Sequence, residues 1–276
     1  MTTQLPPSSL PSLLPLYAPL DFNLVLRSMV TGSTPAWAFA DREDLPHLAL
    51  LWDRQDALLL AGDNQDLVAM AWLRNLLHNQ ILPEARARWI PELALFYTPA
   101  WEPMLPSLLN GLDARPAYRY SYRYPESARP KLPPLPDGYA LRRIDAALLE
   151  SERGNLEQVQ GWIDSFWHSP ADFLRAGYGF VVETIGAAPV IASWCLTVFA
   201  AADARELGLA TIPEHRSRGL ASQAAAACIL HGQSLGQEIH WHCWTDNPAS
   251  AVIAEKLGFQ LEREYKVYRL KTGLDA

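Results

Sequence analysis

The stretch Leu207–Ala221 reads LGLATIPEHRSRGLA. An apolar run, 207–212, predicts a strand. Pro213 stops it, a short polar loop follows, and the alanine-rich segment 220–235 predicts a helix closed by Gly236. A strand running through a glycine-bearing loop into a helix is a candidate anion site. The first amides of a helix have no intrahelical partner and carry partial positive charge, so a pyrophosphate placed there takes several hydrogen bonds at once. Gly219 permits close backbone approach and Ala221 keeps the first turn small. Arg216 and Arg218 add charge-assisted donors.

Downstream, Ile239–Trp244 predicts a strand and Pro248–Leu257 a helix closed by Gly258, followed by a strand over 259–270. Asn247 precedes Pro248, which suits an N-cap with proline at the first helical position. Upstream, Gly138–Ile144 reads as a strand and Asn155–Trp167 as a helix. Phe180–Thr184 and Val190–Phe199 form a hairpin around Gly186. Residues 125–137 hold five prolines and predict a stiff extended join. Before it, strands at 56–60 and 93–97 flank a helix over 66–79, and Tyr118–Tyr124 alternates aromatic and polar side chains as an amphipathic strand does. The domain reading is 1–130 for a smaller α/β domain and 138–276 for a second domain.

Taken together, TIPEHRSRGLA (211–221) resembles motif A of the GNAT acyltransferase superfamily. WHCWTDNPAS (241–250), followed by Glu255-Lys-Leu-Gly258-Phe259, resembles its motif B. The resemblance covers residues 138–276 and extends to two-domain members in which a degenerate GNAT-like half precedes the catalytic one. It implies a mixed α/β (α+β) fold whose sheet, flanked by helices, splays between the strand 207–212 and the strand 239–244. The cofactor it implies is acetyl-CoA or another acyl-CoA. Pantetheine would pair with the backbone of Leu209, Ala210 and Thr211. The pyrophosphate would sit on Arg216, Ser217, Arg218, Gly219, Leu220 and Ala221. Asn247 would bond the pantetheine arm, with Ser250 nearby.

The implied reaction is acyl transfer to a primary amine by direct attack. It needs a neutral amine, a donor for the developing oxyanion and a departing thiolate. In similar enzymes an acidic residue at the position of Glu206 is the general base, and an amide near Leu209 would be the oxyanion donor. Many relatives carry a tyrosine as general acid four residues before the glycine of Gly258-Phe259; here that position is Ala254. Tyr265 or Tyr268 from the last strand is the substitute within reach. Without an acid the chain would fit a noncatalytic acyl-CoA sensor, and a larger acyl group with an amino-acid acceptor is a further reading. Trp162, Phe166 and Trp167 are either core or an apolar wall for the acceptor.

Composition bounds the alternatives. A net charge of −7 with no block of like charges argues against nonspecific binding to nucleic acid or anionic membranes. Cys195, Cys228 and Cys243 are far apart, so neither a disulfide framework nor a cysteine zinc site is expected. His240 and His242 share a strand face without a visible third ligand, and no metal is expected. The N-terminal twenty residues are broken by five prolines and lack a basic start, so they do not read as a signal peptide. With no long apolar run, a cytoplasmic protein acting on a small-molecule or peptide amine is the expectation.

Overall fold

In a computed structural model, residues 3–131 and 134–274 are described. Pro133, one of the prolines of the predicted join, lies outside the described residues. The chain forms two compact units. One comprises the residues up to Tyr118 together with those from Lys266 onward, and the other is Arg119–Tyr265. The proline-rich stretch therefore falls within the second unit.

The first unit contains the strands β1 (Thr3–Leu5), β2 (Trp37–Ala40), β3 (Leu48–Trp52), β4 (Ala57–Gly62) and β5 (Glu92–Tyr97). Its helices are α1 (Leu24–Val30), α2 (Leu67–Leu76), α3 (Leu82–Ala87) and α4 (Leu105–Leu108). Strands β1 to β4 pair antiparallel in sequence, whereas β4 and β5 run parallel with Ala57↔Ala94 through Leu60↔Tyr97 in register. Strands β3 and β4 are buried along almost their whole length, because both faces are covered. On one face, Trp52, Leu73, Ile81 and Trp101 share a core. Pro7–Leu20 winds as a 3-10 helix, in which every third residue recurs on one side. Leu10, Leu13, Tyr17 and Leu20 are its buried residues. A helix interrupted this often by proline was not foreseen from the apolar pattern.

The second unit begins in β6 (Ala114–Arg123), of which residues 119–123 belong to it. Then come β7 (Tyr139–Arg143), α5 (Ala146–Leu149), α6 (Leu156–Phe166), α7 (Pro170–Ala176), β8 (Gly179–Thr184), β9 (Ile191–Ala201), β10 (Ala204–Thr211), α8 (Leu220–Ser234), β11 (Glu238–Trp244), α9 (Pro248–Leu257) and β12 (Gln260–Lys271). β7, β8, β9 and β10 pair antiparallel in order, β10 and β11 run parallel, and β11 pairs antiparallel with β6. The last residues of β12 pair with β5 in the first unit, Tyr268 opposite Leu95. The predicted mixed sheet with flanking helices is the observed architecture, and the predicted strands and helices after residue 138 lie within a few residues of their expected bounds.

Alternation along the strands sorts the second unit's side chains onto two faces. Tyr122, Leu207, Trp241 and Cys243 join Ala224, Ala225, Cys228 and Ile229 of α8 and Ala254 and Leu257 of α9 in one core. Small alanines at this helix face let α8 lie close to the sheet. The opposite face is covered by α6, whose Trp162 and Phe166 pack edge-on against Trp194 and Phe199 of β9.

Candidate functional site

The parallel pair of the second unit's sheet opens part-way along. Its β10–β11 ladder holds for Ala204↔Glu238, Arg205↔Ile239 and Glu206↔His240 and then stops. At the same point the pairing of β10 with β9 slips by one residue, between Glu206 and Leu207. The extra residue is Val198 of β9; a bulge sharpens the local twist, and β10 leaves β11 at the same rung. The edge of Leu207–Thr211 is left facing a cleft of about 810 Å³, with Trp241–Trp244 on its far side. The splay expected from the resemblance begins here. Its local cause, the bulge after Glu206, has no signature in the residue pattern.

The cleft runs onto the turn that precedes α8. Pro213–His215 forms a single 3-10 turn. Ser217 and Gly219 follow in left-handed conformations, with φ of 61° and 76°. Gly219 is the N-cap of α8, and no side chain caps the helix amides. A Cβ built on Gly219 would meet nothing within 4 Å, so the space before the helix start is open. Ser217 pays of order 1 kcal/mol for its conformation, a cost found where loops are shaped for a ligand. Three contacts fix the turn from behind. Tyr139 Oη and His215 Nδ1 are 2.8 Å apart, Arg216 Nε donates to the Thr211 carbonyl, and Arg218 donates to the Glu214 carbonyl.

Every residue expected to hold the cofactor lines this cleft: Leu209, Ala210, Thr211, Arg216, Ser217, Arg218, Gly219, Leu220, Ala221, Asn247 and Ser250. Two of them also have structural duties. Asn247 Oδ1 accepts from the Ser250 amide as the cap of α9, and Ser250 Oγ accepts from Trp241 Nε1 at 3.0 Å. Ala254 is fully buried in the core under α9. Among the described residues no cluster of His, Cys, Asp or Glu has the makings of a metal site.

The face opposite α8 carries the polar groups that sequence reasoning did not assemble. Glu206 is buried at the bulge, and its charge raises the phenol pKa of Tyr265. His242 Nδ1 is 3.0 Å from Tyr265 Oη, and His242 Nε2 is 3.0 Å from Ser121 Oγ. Burial, reinforced by Arg119, pushes the His242 pKa well below its ordinary value, so the imidazole is neutral and the two bonds use both nitrogens. The Tyr265 phenol is pushed up to about 12, chiefly by burial, against a lowering influence of Arg119. Arg119 itself lines the cleft, with its guanidinium 4.7 Å above the Trp244 ring. Tyr268 belongs to the other unit, where its ring packs 6.0 Å from Tyr97. Of the two tyrosines in the last strand, Tyr265 is the one beside Glu206 and His242. Period-2 alternation places Arg119 with Ser121, and His242 with Trp244; the signal lacking was which strands pair.

Trp162 lines the cleft from α6. Its ring lies against Gly208, where an added Cβ would come within 2.9 Å of it. Trp167 is buried and donates its indole N–H to the Thr197 carbonyl. The three aromatics thus divide between roles, with Trp167, just past α6, in the core, Trp162 at the cleft and Phe166 packed between Trp162 and Phe199.

The second unit thus combines a sheet opened between β10 and β11 with a glycine-led helix start at α8. A model of the GNAT acetyltransferase family matches residues 21–268, most of the chain, and the protein belongs to that family. It is 24% identical over 242 residues to the uncharacterized N-acetyltransferase YdfB of Bacillus subtilis (strain 168), covering 87% of this chain and 88% of that one. In fold it is similar to a GCN5-related N-acetyltransferase-like protein from Streptococcus suis 89/1591, with a TM-score of 0.68, 20% identity, and coverage of 96% and 99% of the two chains. It is also similar to a tandem GNAT protein from the clavulanic acid biosynthesis pathway, with a TM-score of 0.59, 14% identity, and coverage of 100% and 99%. The tandem architecture accounts for both units.

Proposed function

We propose that the second unit transfers an acetyl group from acetyl-CoA to a primary amine by direct attack, in the cleft between β10 and β11. The observation that carries this reading is the coincidence of the ladder's end at Glu206↔His240 with the open turn at Ser217–Gly219. The residues present fit a CoA ester: a strand edge lacks a ladder partner, the helix start has no side-chain cap, and the space at Gly219 would be filled by any Cβ. Leu209, Ala210 and Thr211 would hold the pantetheine amides, and the amides from Arg216 to Ala221 the pyrophosphate. Acetyl-CoA supplies an activated thioester.

The chain's own residues carry the protons. Glu206, next to the bulge, accepts the proton of the incoming amine, directly or through water, which leaves the nitrogen lone pair free to attack. The Leu209 amide points its hydrogen at the developing oxyanion. No tyrosine stands at Ala254. A thiol with an ordinary pKa of about 8.5 leaves without full protonation, and Tyr265, whose phenol feels the Glu206 charge, returns a proton. The acceptor is a small molecule or a peptide, and the setting is a reducing cytoplasm.

The test is release of free CoA from acetyl-CoA with a panel of primary amines. Amine-dependent release supports the enzyme. CoA binding with no release under any amine would favour the sensor reading that the absence of a tyrosine at position 254 permits, and no CoA binding would remove both.

A further inference from the structure

The amides of β10 alternate between two directions, and that alternation fixes where an acyl group would lie. The Ile212 amide donates to the Ala192 carbonyl at 2.9 Å. Rungs of an antiparallel pair alternate between bonded and non-bonded, so in the same register Ala210↔Trp194 and Gly208↔Leu196 are bonded rungs. Those residues direct their amides at β9. Leu209 and Thr211 direct theirs the other way, into the cleft, beyond the last rung that β10 shares with β11. A thioester carbonyl held on the Leu209 amide lies in the plane of the sheet, and its acyl chain leaves toward one face or the other.

The face toward α8 is closed. Leu207, Leu220, Trp241 and Cys243 are buried in its core, and Leu209 packs against that core. The cleft continues on the opposite face, where half-buried Trp162 lines it. Trp162 occupies the space that a side chain at Gly208 would take. A Cβ there would come within 2.9 Å of Trp162 Cζ3 and 2.6 Å of Val198, the residue by which β9 bulges. Gly208 immediately precedes Leu209, so the ring stands at most about 7 Å from the Leu209 nitrogen, that approach plus the intervening backbone bonds. A carbonyl oxygen bonded to the amide already stands about 3 Å from the same nitrogen. The ring is thus one short acyl chain away. It is held there by Trp194 at 5.8 Å and Phe166 at 6.0 Å, both edge-on, an arrangement that fixes a ring's orientation.

We infer that Trp162 limits the length of the acyl group, so that the donor is a short-chain acyl-CoA, acetyl or propionyl, and longer chains are stopped by this ring. The larger acyl group that the sequence left open is thereby excluded by one side chain. This inference rests on the acetyltransferase reading of the cleft and narrows its donor.

The experiment needs no acceptor: isothermal titration of the full chain with CoA, acetyl-CoA and hexanoyl-CoA. The wild type is expected to bind hexanoyl-CoA about 10- to 100-fold more weakly than acetyl-CoA, the range that forcing extra methylenes into packed surroundings costs. Trp162→Ala removes that ratio, and Trp162→Phe removes part of it. CoA itself has no acyl group and binds the wild type and both variants alike. A merely structural defect weakens CoA and both esters together and leaves the ratio unchanged. A ratio that persists undiminished in Trp162→Ala overturns the inference, because something else then stops the chain. Equal affinity of the wild type for the two esters overturns it without any variant, and leaves the acetyltransferase reading intact. Absence of CoA binding by the wild type overturns the acetyltransferase reading instead.

Discussion

The two units run their strands through the same sequence of pairings. In the first, β1, β2, β3 and β4 are antiparallel neighbours, β4 and β5 are parallel, and β5 meets β12 antiparallel. In the second, β7, β8, β9 and β10 are antiparallel, β10 and β11 parallel, and β11 meets β6 antiparallel. Yet the parallel pair stays closed in one and opens in the other. In the first unit β4 and β5 are in register as far as Leu60↔Tyr97, and no register shift interrupts β4. Beyond it, the buried Trp101 donates its indole N–H to the Gly62 carbonyl at 3.1 Å. The loop from β4 into α2 holds Asp63 and Asp66, and Asp66 caps α2 by accepting from the Val68 and Ala69 amides. A helix start already capped by a carboxylate repels a phosphate. In the second unit the corresponding loop carries Arg216 and Arg218, ends on Gly219, and has no side-chain cap. The same order of pairings is thus open at its parallel pair in one unit and closed in the other, and the two differ there in a bulge, a helix cap and the charge of one turn.

Replacing the buried acid of the open pair tests this most forcefully. The third residue of β10 is Glu206 and the third of β4 is Leu59. Glu206→Gln is expected to lower kcat/KM by about 10²- to 10⁴-fold, the usual contribution of a general base, with CoA affinity nearly unchanged. Full activity in steady-state assays of that variant removes Glu206 from the mechanism. Next in size is the plug of the closed pair. Trp101→Ala should destabilise the protein by about 3–5 kcal/mol in urea unfolding, as large aromatic truncations in cores do, without altering CoA affinity. A large loss of CoA affinity in the folded variant would show that the first unit takes part in binding.

Gly219→Glu puts a carboxylate on the open helix start, as Asp66 already does on α2. Affinity for CoA should drop by at least about 100-fold, or about 2.7 kcal/mol. The fold should survive, since the added side chain enters empty space and only the left-handed backbone costs, by about 1–2 kcal/mol. Unchanged affinity would show that phosphates do not sit there. The smallest effect is at α9, where Asn247→Ala removes a cap. A stability loss of about 1 kcal/mol is expected from capping alone. A drop in CoA affinity beyond that seen for Pro248→Ala would add a direct contact with the pantetheine arm.

Most of the second unit was legible because its signals are local. Pro213, Gly219, Gly236, Pro248 and Gly258 punctuate the chain at element ends, and Ala221, Ala224, Ala225 and Cys228 recur at helical spacing on one face of α8. The side of the cleft built by β10, the turn and α8 follows from such signals, since the three are consecutive. The side built by β6, β11 and β12 does not. Arg119 and His242 are 123 positions apart in sequence and meet only because β6 pairs with β11. The assignment of Tyr265 and Tyr268 to different units depends on where along β12 the chain passes from one to the other, which no period reveals. In the first unit, the 3-10 helix over Pro7–Leu20 eluded a reading keyed to a period of 3.6.

The central claim is that the gap between β10 and β11 is a CoA site, and thermal unfolding with increasing CoA measures it directly. At a concentration 100 times the dissociation constant, CoA should stabilise the protein by about 2.7 kcal/mol. Adenine nucleotides, which lack pantetheine, should do less, and Gly219→Glu should abolish the response. No change in the unfolding temperature of the wild type at millimolar CoA would contradict the account.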